Sequence, residues 1–339
     1  METQVLMPDE NSLKFAGKLL KSGELVGIPT ETVYGLAANA LDGSAVEKIF
    51  KAKGRPMDNP LIVHISDISQ VNSLVSVFPQ KAKALAEAFW PGPLTIIMPC
   101  SDNVPTQVTA GLSTVAIRFP SHKTAQEIIN YAGVPLAAPS ANLSGSPSPT
   151  TATHVFNDLN GRIPLIIDGG KSNVGLESTV ITVAGKAPVL LRPGGITVEQ
   201  LESVIGKIEI DKGVTHMLDK NAVVASPGMK YKHYAPKAHI VILKANSDEY
   251  INYINNCNEN NVGALCYSDD ARTLKVPYVI LGEKDDYTTQ AHNLFNALRE
   301  LDEMGLKTVY ARCPETEGVG LAVYNRLIRS AGFEVIELA

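Results

Sequence analysis

Short apolar runs alternate with amphipathic stretches from the start of the chain to residue 212. Runs rich in Val, Ile and Leu predict strands over 25–28, 61–65, 94–98, 115–119, 136–138, 165–167, 179–183 and 189–191. Apolar positions three and four apart predict helices that start near Asn11, Gly43, Pro79, Lys123, Thr151 and Thr197. The last of these opens as a capping box, with Gln200 three residues after Thr197 and the turn Pro193-Gly194-Gly195 just before it. Strand and helix in alternation describe an α/β sheet domain.

From 213 to 236 the periodicity fades. The stretch SPGMKYKHYAPK mixes Pro, Gly, aromatic and basic residues without an apolar face and reads as a linker. Past it, HIVILKA, VGALCYS, PYVILG, TVYARC and EVIEL are strand-like, and helical patterns such as AHNLFNALRELDEMG and GLAVYNRLIRSAG separate them. That rhythm predicts a small Rossmann-like α/β/α domain over 237–339, following a first domain over 1–212. The second domain lacks a G-x-G-x-x-G turn, so dinucleotide binding there is not supported. No internal repeat is visible.

Composition narrows the class. A chain of 339 residues has room for two cores. With 45% hydrophobic residues, 19% charged residues and a net charge of -5, it is an ordinary globular protein and not a disordered one. Stable binding of bulk nucleic acid, which needs clustered Lys and Arg to neutralise phosphates, is disfavoured by the slightly acidic balance. The cysteines Cys100, Cys257, Cys266 and Cys313 form neither a zinc pattern nor a disulfide framework and fit a reducing, cytoplasmic setting. The start METQVLMPDENSLKFAGKLL lacks a basic segment followed by an apolar one, and no run approaches a membrane span, so no membrane attachment is expected.

The candidate chemistry gathers at strand ends. In ELVGIPTETVYGLAANA a strand ends at Pro29 and turns through Thr30, Glu31, Thr32 and Tyr34, at the place where open α/β sheets bind ligands; capping of a helix by Thr30 or Thr32 is the plain alternative. In AVEKIFKAKGRPMDNPLIVHI a helical stripe of Val46, Ile49 and Phe50 stops at Gly54 and Pro56, with Lys48, Lys51, Lys53 and Arg55 crowding its end. Complementing the helix dipole accounts for Lys48 and Lys51. If the chain is extended past the helix, Lys53 and Arg55 point the same way and place an ammonium beside a guanidinium, a pair suited to polyphosphate. Asn59 and His64 follow on the turn and the next strand; a lone His there is more often a satisfied core residue.

In GLSTVAIRFPSH, Thr114, Ala116 and Arg118 share one face of a strand, and an arginine on an apolar strand must meet a carboxylate of the protein or an anionic ligand. VPLAAPSANLSGSPSPT runs a buried strand into Ser140, Asn142, Ser144, Ser146 and Ser148, either a hydroxyl-lined ligand loop or a solvated Ser/Pro loop. Ser178 in GLESTV and Arg192 in LLRPGG repeat the placement at further strand ends, and Trp90 in WPGPLTIIMP reads as structural. DGGKS at 168–172 imitates the end of a phosphate loop, but the earlier glycine that motif requires falls at Leu165 inside a strand, so no such loop is expected.

Taken together and in this order, PTETVYGL, Lys53-Gly54-Arg55, WPGPLT, Ser140-Ala141-Asn142, GLEST, LRPGG and SPGMKYKHYAP resemble the threonylcarbamoyl-AMP synthase family, with a YrdC-like twisted open sheet domain and, in the long form, a further C-terminal domain. The resemblance implies an L-threonylcarbamoyladenylate synthase, a nucleotidyltransferase that turns L-threonine, bicarbonate and ATP into L-threonylcarbamoyl-AMP and pyrophosphate. The product would serve N6-threonylcarbamoyladenosine formation beside the tRNA anticodon, through a transient downstream tRNA threonylcarbamoyl transferase complex. It implies Thr32, His64, Arg118 and Ser178 around L-threonine, with Ala138 contributing backbone. Arg55, Asn59, Thr114, Ser140, Asn142, Ser148 and Arg192 would hold ATP, Lys53 and Arg55 would form the catalytic basic wall, and Tyr231 on the linker would close over the nucleotide. Mg2+ would bridge the phosphates and be held mainly by them. Two other readings stand beside it: a double-stranded RNA or tRNA-binding module without catalysis, and an O-carbamoyltransferase, whose larger proteins carry zinc-finger-like and acylphosphatase-like parts absent from this sequence.

Overall fold

The computed structural model describes residues 2–217 and 234–338, which form two compact units, the first within residues 2–214 and the second chiefly of residues 234–338. The first unit contains β1 (Gln4–Leu6), β2 (Val26–Ile28), β3 (Gly35–Asn39), β4 (Ile62–His64), β5 (Leu94–Pro99), β6 (Thr114–Arg118), β7 (Leu136–Ala137), β8 (Leu165–Ile167), β9 (Thr179–Thr182), β10 (Val189–Arg192) and β11 (Glu209–Ile210). They join into one mixed sheet in the order β1-β8-β2-β3-β7-β4-β6-β5-β9-β10-β11. All eight expected strands are present. β1, β3 and β11 are additional, because two or three residues at a sheet edge, or a Gly-Ala-rich run, carry too little β-branched character to stand out.

Helices Glu10–Lys21, Gly43–Lys53, Gln80–Phe89, Lys123–Ala132, Ala152–Leu159 and Val198–Ile205 match the six expected starts. The capping box read at Thr197 forms, its side chain accepting from the Gln200 backbone. The central strands send Val63, Ile65, Ile96, Met98, Val115, Ile117 and Ile181 into one core that also takes Val46, Ile49 and Phe50, Leu85 and Leu201 from three of these helices. Successive strand residues point to opposite faces. The other face of the same strands carries a smaller apolar group, Ile62, Ile97, Ala116, Val180 and Leu191, and forms the floor of the site described below.

The second unit holds β12 (His239–Lys244), β13 (Val262–Tyr267), β14 (Tyr278–Gly282), β15 (Thr308–Arg312) and β16 (Val335–Glu337), all parallel, in the order β14-β13-β15-β12-β16. Val241, Leu243, Val262, Ala264 and Cys266 pack on Tyr250 and Ile254 of helix Ser247–Asn255. The alternation is the expected α/β one, but the fourth strand lies between the first two, unlike the 3-2-1-4-5 progression of dinucleotide-binding sheets. That order agrees with the missing glycine fingerprint. Among the described residues no helix is long and apolar enough to cross a membrane.

Helices Glu10–Lys21 and Lys123–Ala132 meet at Gly17, where an added Cβ would lie 2.6 Å from Tyr131 Cβ and 2.8 Å from the Ala132 nitrogen. Two effects oppose each other in Gly17→Ala. Helix propensity favours alanine by about 1 kcal/mol, while forcing a methyl against backbone costs about 1–3 kcal/mol. Because the obstructing atoms belong to backbone and Cβ and not to a flexible side-chain tip, the clash dominates. Gly17→Ala is expected to lower the urea midpoint, and a midpoint at or above that of the parent chain would show that the helices separate freely.

Candidate active site

Strand register assembles the first cluster. β4 and β6 run parallel with His64 opposite Arg118, antiparallel β5 sets Thr95 opposite Arg118, and β9 sets Val180 opposite Thr95. Ser178, two residues before Val180, therefore reaches the same end of the same face, and its Oγ lies 2.7 Å from Thr95 Oγ1. Arg192 arrives by a less regular route. The β9–β10 register shifts between Leu190 and Arg192, so Arg192 lies opposite Val180 although Leu190, two residues earlier, belongs to the opposite core. A bulge of this kind re-aims a side chain. The turned guanidinium donates from Nε to the Ser178 carbonyl at 3.0 Å and from Nη2 to Ser178 Oγ at 3.1 Å. Gly194 permits the approach: a Cβ there would fall 2.3 Å from the Thr179 nitrogen.

Arg118 is 4% exposed and is met by the loop after β2. Its Nη1 donates to Thr32 Oγ1 at 2.8 Å, and Nη2 lies 2.7 Å from Glu31 Oε1, a carboxylate that is equally buried. Thr30 Oγ1 lies 2.9 Å from Thr32 Oγ1 and donates to the Val33 carbonyl, which fixes the turn. Burial alone would raise the Glu31 pKa, but the adjoining guanidinium outweighs it and holds the carboxyl below its usual value. Burial, with Arg118 adding to it, pushes His64 down to about 3, so the imidazole is neutral; its Nδ1 lies 3.2 Å from the Ile62 carbonyl.

A second polar group lies at the other end of the same face. Thr114 opens β6, four residues and about 13 Å along the strand from Arg118. Asn59 precedes β4 on that side; its amide is 1% exposed, and neither its nitrogen nor its oxygen has a hydrogen-bond partner among the described residues. Arg55 Nη2 donates to the carbonyls of Asn59 and Pro60. Ser140 Oγ donates to Asn142 Oδ1 at 2.6 Å, and Ser140 forms a bridge to Gly35 at the foot of β3. Ala138 donates its backbone N–H to the Ile62 carbonyl.

One geometric expectation is corrected in detail. Lys53 and Arg55 do not project side by side from extended chain: the helix continues to Lys53, and Gly54 at φ 61° reverses the backbone. Lys53 turns inward, where its Nζ donates to the carbonyls of Ser140 and Asn142 and shapes that loop. Burial, reinforced by Arg55, pulls the Lys53 pKa well below its usual value. Arg55 instead lies over the Phe50 ring and lines a surface hollow with Lys48, Lys51 and Met57. Ser148, fully buried, has its hydroxyl on the Glu177 carboxylate. Arg192 gathers with Ser178 at the Arg118 end and not with Ser140 and Asn142. Tyr231 lies outside the described residues.

Residue-by-residue reading passed over Glu31 and Thr95. Glu31 was visible only as part of a polar turn. Thr95 had a clearer signal, as the single hydroxyl in the otherwise apolar strand LTIIMP.

Comparison with known proteins agrees with this geometry. A family model described as "Telomere recombination" matches residues 18–194, and one described as "Threonylcarbamoyl-AMP synthase, C-terminal domain" matches residues 196–332. The chain is 49% identical over 338 residues to a threonylcarbamoyl-AMP synthase of Bacillus subtilis, covering 98% of this chain and 97% of the relative. It is 44% identical to that of Pyrococcus abyssi, covering 97% of each. The crystal structure of P. abyssi Sua5 complexed with L-threonine superposes with a TM-score of 0.92 at 42% identity, over 100% of both chains. The chain belongs to the threonylcarbamoyl-AMP synthase family, in the form that carries the additional C-terminal domain.

Proposed function

We propose that the chain is an L-threonylcarbamoyladenylate synthase, forming L-threonylcarbamoyl-AMP and pyrophosphate from L-threonine, bicarbonate and ATP. The observation that carries this reading is the pair of polar clusters at the two ends of one apolar sheet face. One end, with Arg118, Thr32, His64 and Ser178, suits an amino acid; the other, with the unsatisfied Asn59 amide, Ser140, Asn142 and Thr114, suits a nucleotide. The product would be consumed by a transferase that modifies tRNA with the threonylcarbamoyl group.

The amine of threonine combines with bicarbonate, losing water, to give a carbamate. A carbamate oxygen then attacks the α-phosphorus of ATP, and the bond to the β-phosphate bridging oxygen breaks as pyrophosphate leaves. No protein nucleophile is required, so rate comes from positioning and from offsetting charge. Arg118 orients the α-carboxylate, and Arg192, fixed on Ser178, supplies positive charge at the threonine end. Lys53 acts through backbone, holding the Ser140–Asn142 loop. Neutral His64 offers shape and hydrogen bonding without charge. Magnesium would enter on the phosphates: among the described residues no group of three His, Cys, Asp or Glu side chains could hold a metal ion, so no step is routed through a protein-bound one. A duplex-binding role is not favoured, because Lys53, Arg118 and Arg192 are buried and a nucleic-acid backbone cannot reach them.

Pyrophosphate release from ATP is expected to require both L-threonine and bicarbonate, and Arg118→Ala to reduce it by about 10²–10³-fold. Release independent of threonine, or full activity in a folded Arg118→Ala chain, would overturn the assignment.

His64 supplies a pH signature. Its folded pKa lies below the unfolded value, so between pH 6.5 and about 3 the unfolded chain binds more protons and stability falls on acidification, by up to about 1.4 kcal/mol per pH unit. From pH 6.5 to pH 5 the parent chain should lose up to about 2 kcal/mol more than His64→Gln in urea unfolding. Equal losses would mean that the imidazole takes up its proton in the folded chain.

A further inference from the structure

An arginine buried inside a site that handles triphosphate, bicarbonate and pyrophosphate presents a difficulty. By itself it attracts every one of these anions as readily as it attracts an amino acid. The structure answers this with Glu31. Its carboxylate lies 2.7 Å from Arg118 Nη2, the two side chains are 8% and 5% exposed, and His64 beside them is neutral. Within this pair one positive charge thus meets one negative charge. Beyond the ion-pair contact, Arg118 Nε and Nη2 have no hydrogen-bond partner among the described residues, and the Glu31 carboxylate is faced by the backbone of Glu31 and Ser121. Buried polar groups in that state are a standing demand for complementary ones.

We propose that Glu31 is the specificity-determining residue that makes the Arg118 pocket accept an α-amino acid and refuse simple anions. A zwitterion presents a carboxylate to the guanidinium and an ammonium to the carboxylate, and leaves the balance of the pair unchanged. An anion without an amine leaves Glu31 uncompensated and is repelled by it, a penalty that a low-dielectric site magnifies. The pocket therefore discriminates by charge pattern as well as by shape. This assignment rests on the proposed function only in taking L-threonine as the amino acid.

The test compares L-threonine with 3-hydroxybutyrate, which keeps its carboxylate, hydroxyl and methyl but lacks the amine, and with inorganic phosphate, by calorimetric titration and by competition in the pyrophosphate-release assay. The parent chain should prefer L-threonine at least 100-fold over 3-hydroxybutyrate and show no competition by millimolar phosphate. In Glu31→Gln the preference should fall below tenfold, chiefly because 3-hydroxybutyrate and phosphate now bind, with phosphate raising the KM for threonine while leaving kcat. Glu31→Asp, which keeps the charge, should retain the preference. Equal loss of both ligands in a folded Glu31→Gln chain would reduce Glu31 to a brace, and Glu31→Asp behaving as Glu31→Gln would remove charge as the cause. Either result overturns the proposal. If Glu31→Gln does not fold, the parent chain still decides, because comparable binding of 3-hydroxybutyrate and L-threonine refutes it. Failure of the parent chain to bind L-threonine at all would instead refute the functional reading.

Discussion

Cations held away from water organise the first unit. Lys53, Arg118 and Arg192 are all less than a tenth exposed, and a buried charge is tolerable only when oxygen atoms surround it. Each draws those atoms from a segment distant in sequence. Lys53 collects the carbonyls of Ser140 and Asn142, Arg118 collects Thr32 and Glu31, and Arg192 collects Ser178. The consequence is geometric. Loops that would otherwise be free, after β2, after β7 and before β9, are tied to side chains that start from a helix end and two strand ends. The site is thereby ordered by electrostatics, while the helix-covered face of the sheet is ordered by apolar packing. Removing one such cation would leave orphaned oxygens and a loose loop together, so binding and local order cannot be separated in this part of the chain.

Most of the scaffold could be read from the sequence because its signals are local. Apolar runs of three to five residues marked eight strands, and the helices announced their ends through Thr151, Thr197 and Gly54. Chemistry was legible where a polar residue interrupts an apolar strand, as with Arg118. It was not legible where tertiary contact decides direction. The αL turn at Gly54 separates Lys53 from Arg55 although they stand two residues apart. The bulge after Leu190 carries Arg192 to the site face against the simple alternation of the strand. Ser148 lies in the most polar loop of the chain, but that loop folds so that its hydroxyl serves Glu177. In each case the residue type was informative and its partner was not, because the partner lies between 14 and 89 positions away or depends on one backbone torsion.

The second unit solves the buried-cation problem by other means. Arg312, at the end of β15, is 4% exposed and lies 3.3 Å from Asp270, with its guanidinium over the rings of Tyr250 at 5.0 Å and Tyr267 at 5.1 Å and one Nη on the Ala245 carbonyl. Stacking on two aromatic faces supports this guanidinium, although its Nε, like that of Arg118, has no hydrogen-bond partner among the described residues. The residues in these contacts come from the carboxyl ends of β12, β13 and β15 or from just beyond them, and from helix Ser247–Asn255, so the arginine fastens neighbouring parallel strands together. The contrast lies in the partners: Arg312 is held against two aromatic rings, whereas Arg118 is met by a hydroxyl and a carboxylate.

The same distinction bears on the proposed reaction, which needs no protein nucleophile. A carbamate and a mixed carboxylic–phosphoric anhydride are both destroyed by water, so the chain must favour their formation in a place where water competes poorly. The floor of Ile62, Ile97, Ala116, Val180 and Leu191 provides that place between the two polar ends. His64 adds no charge to it, and the Arg118–Glu31 pair adds none in sum. In the proposed reaction, charge developing on the departing pyrophosphate would be met by fixed donors of the site, which count for more in a medium of low dielectric than they would in solution. Under the proposal, the balanced Arg118–Glu31 pair and the apolar floor beside it act together: the first disfavours simple anions, and the second keeps water away.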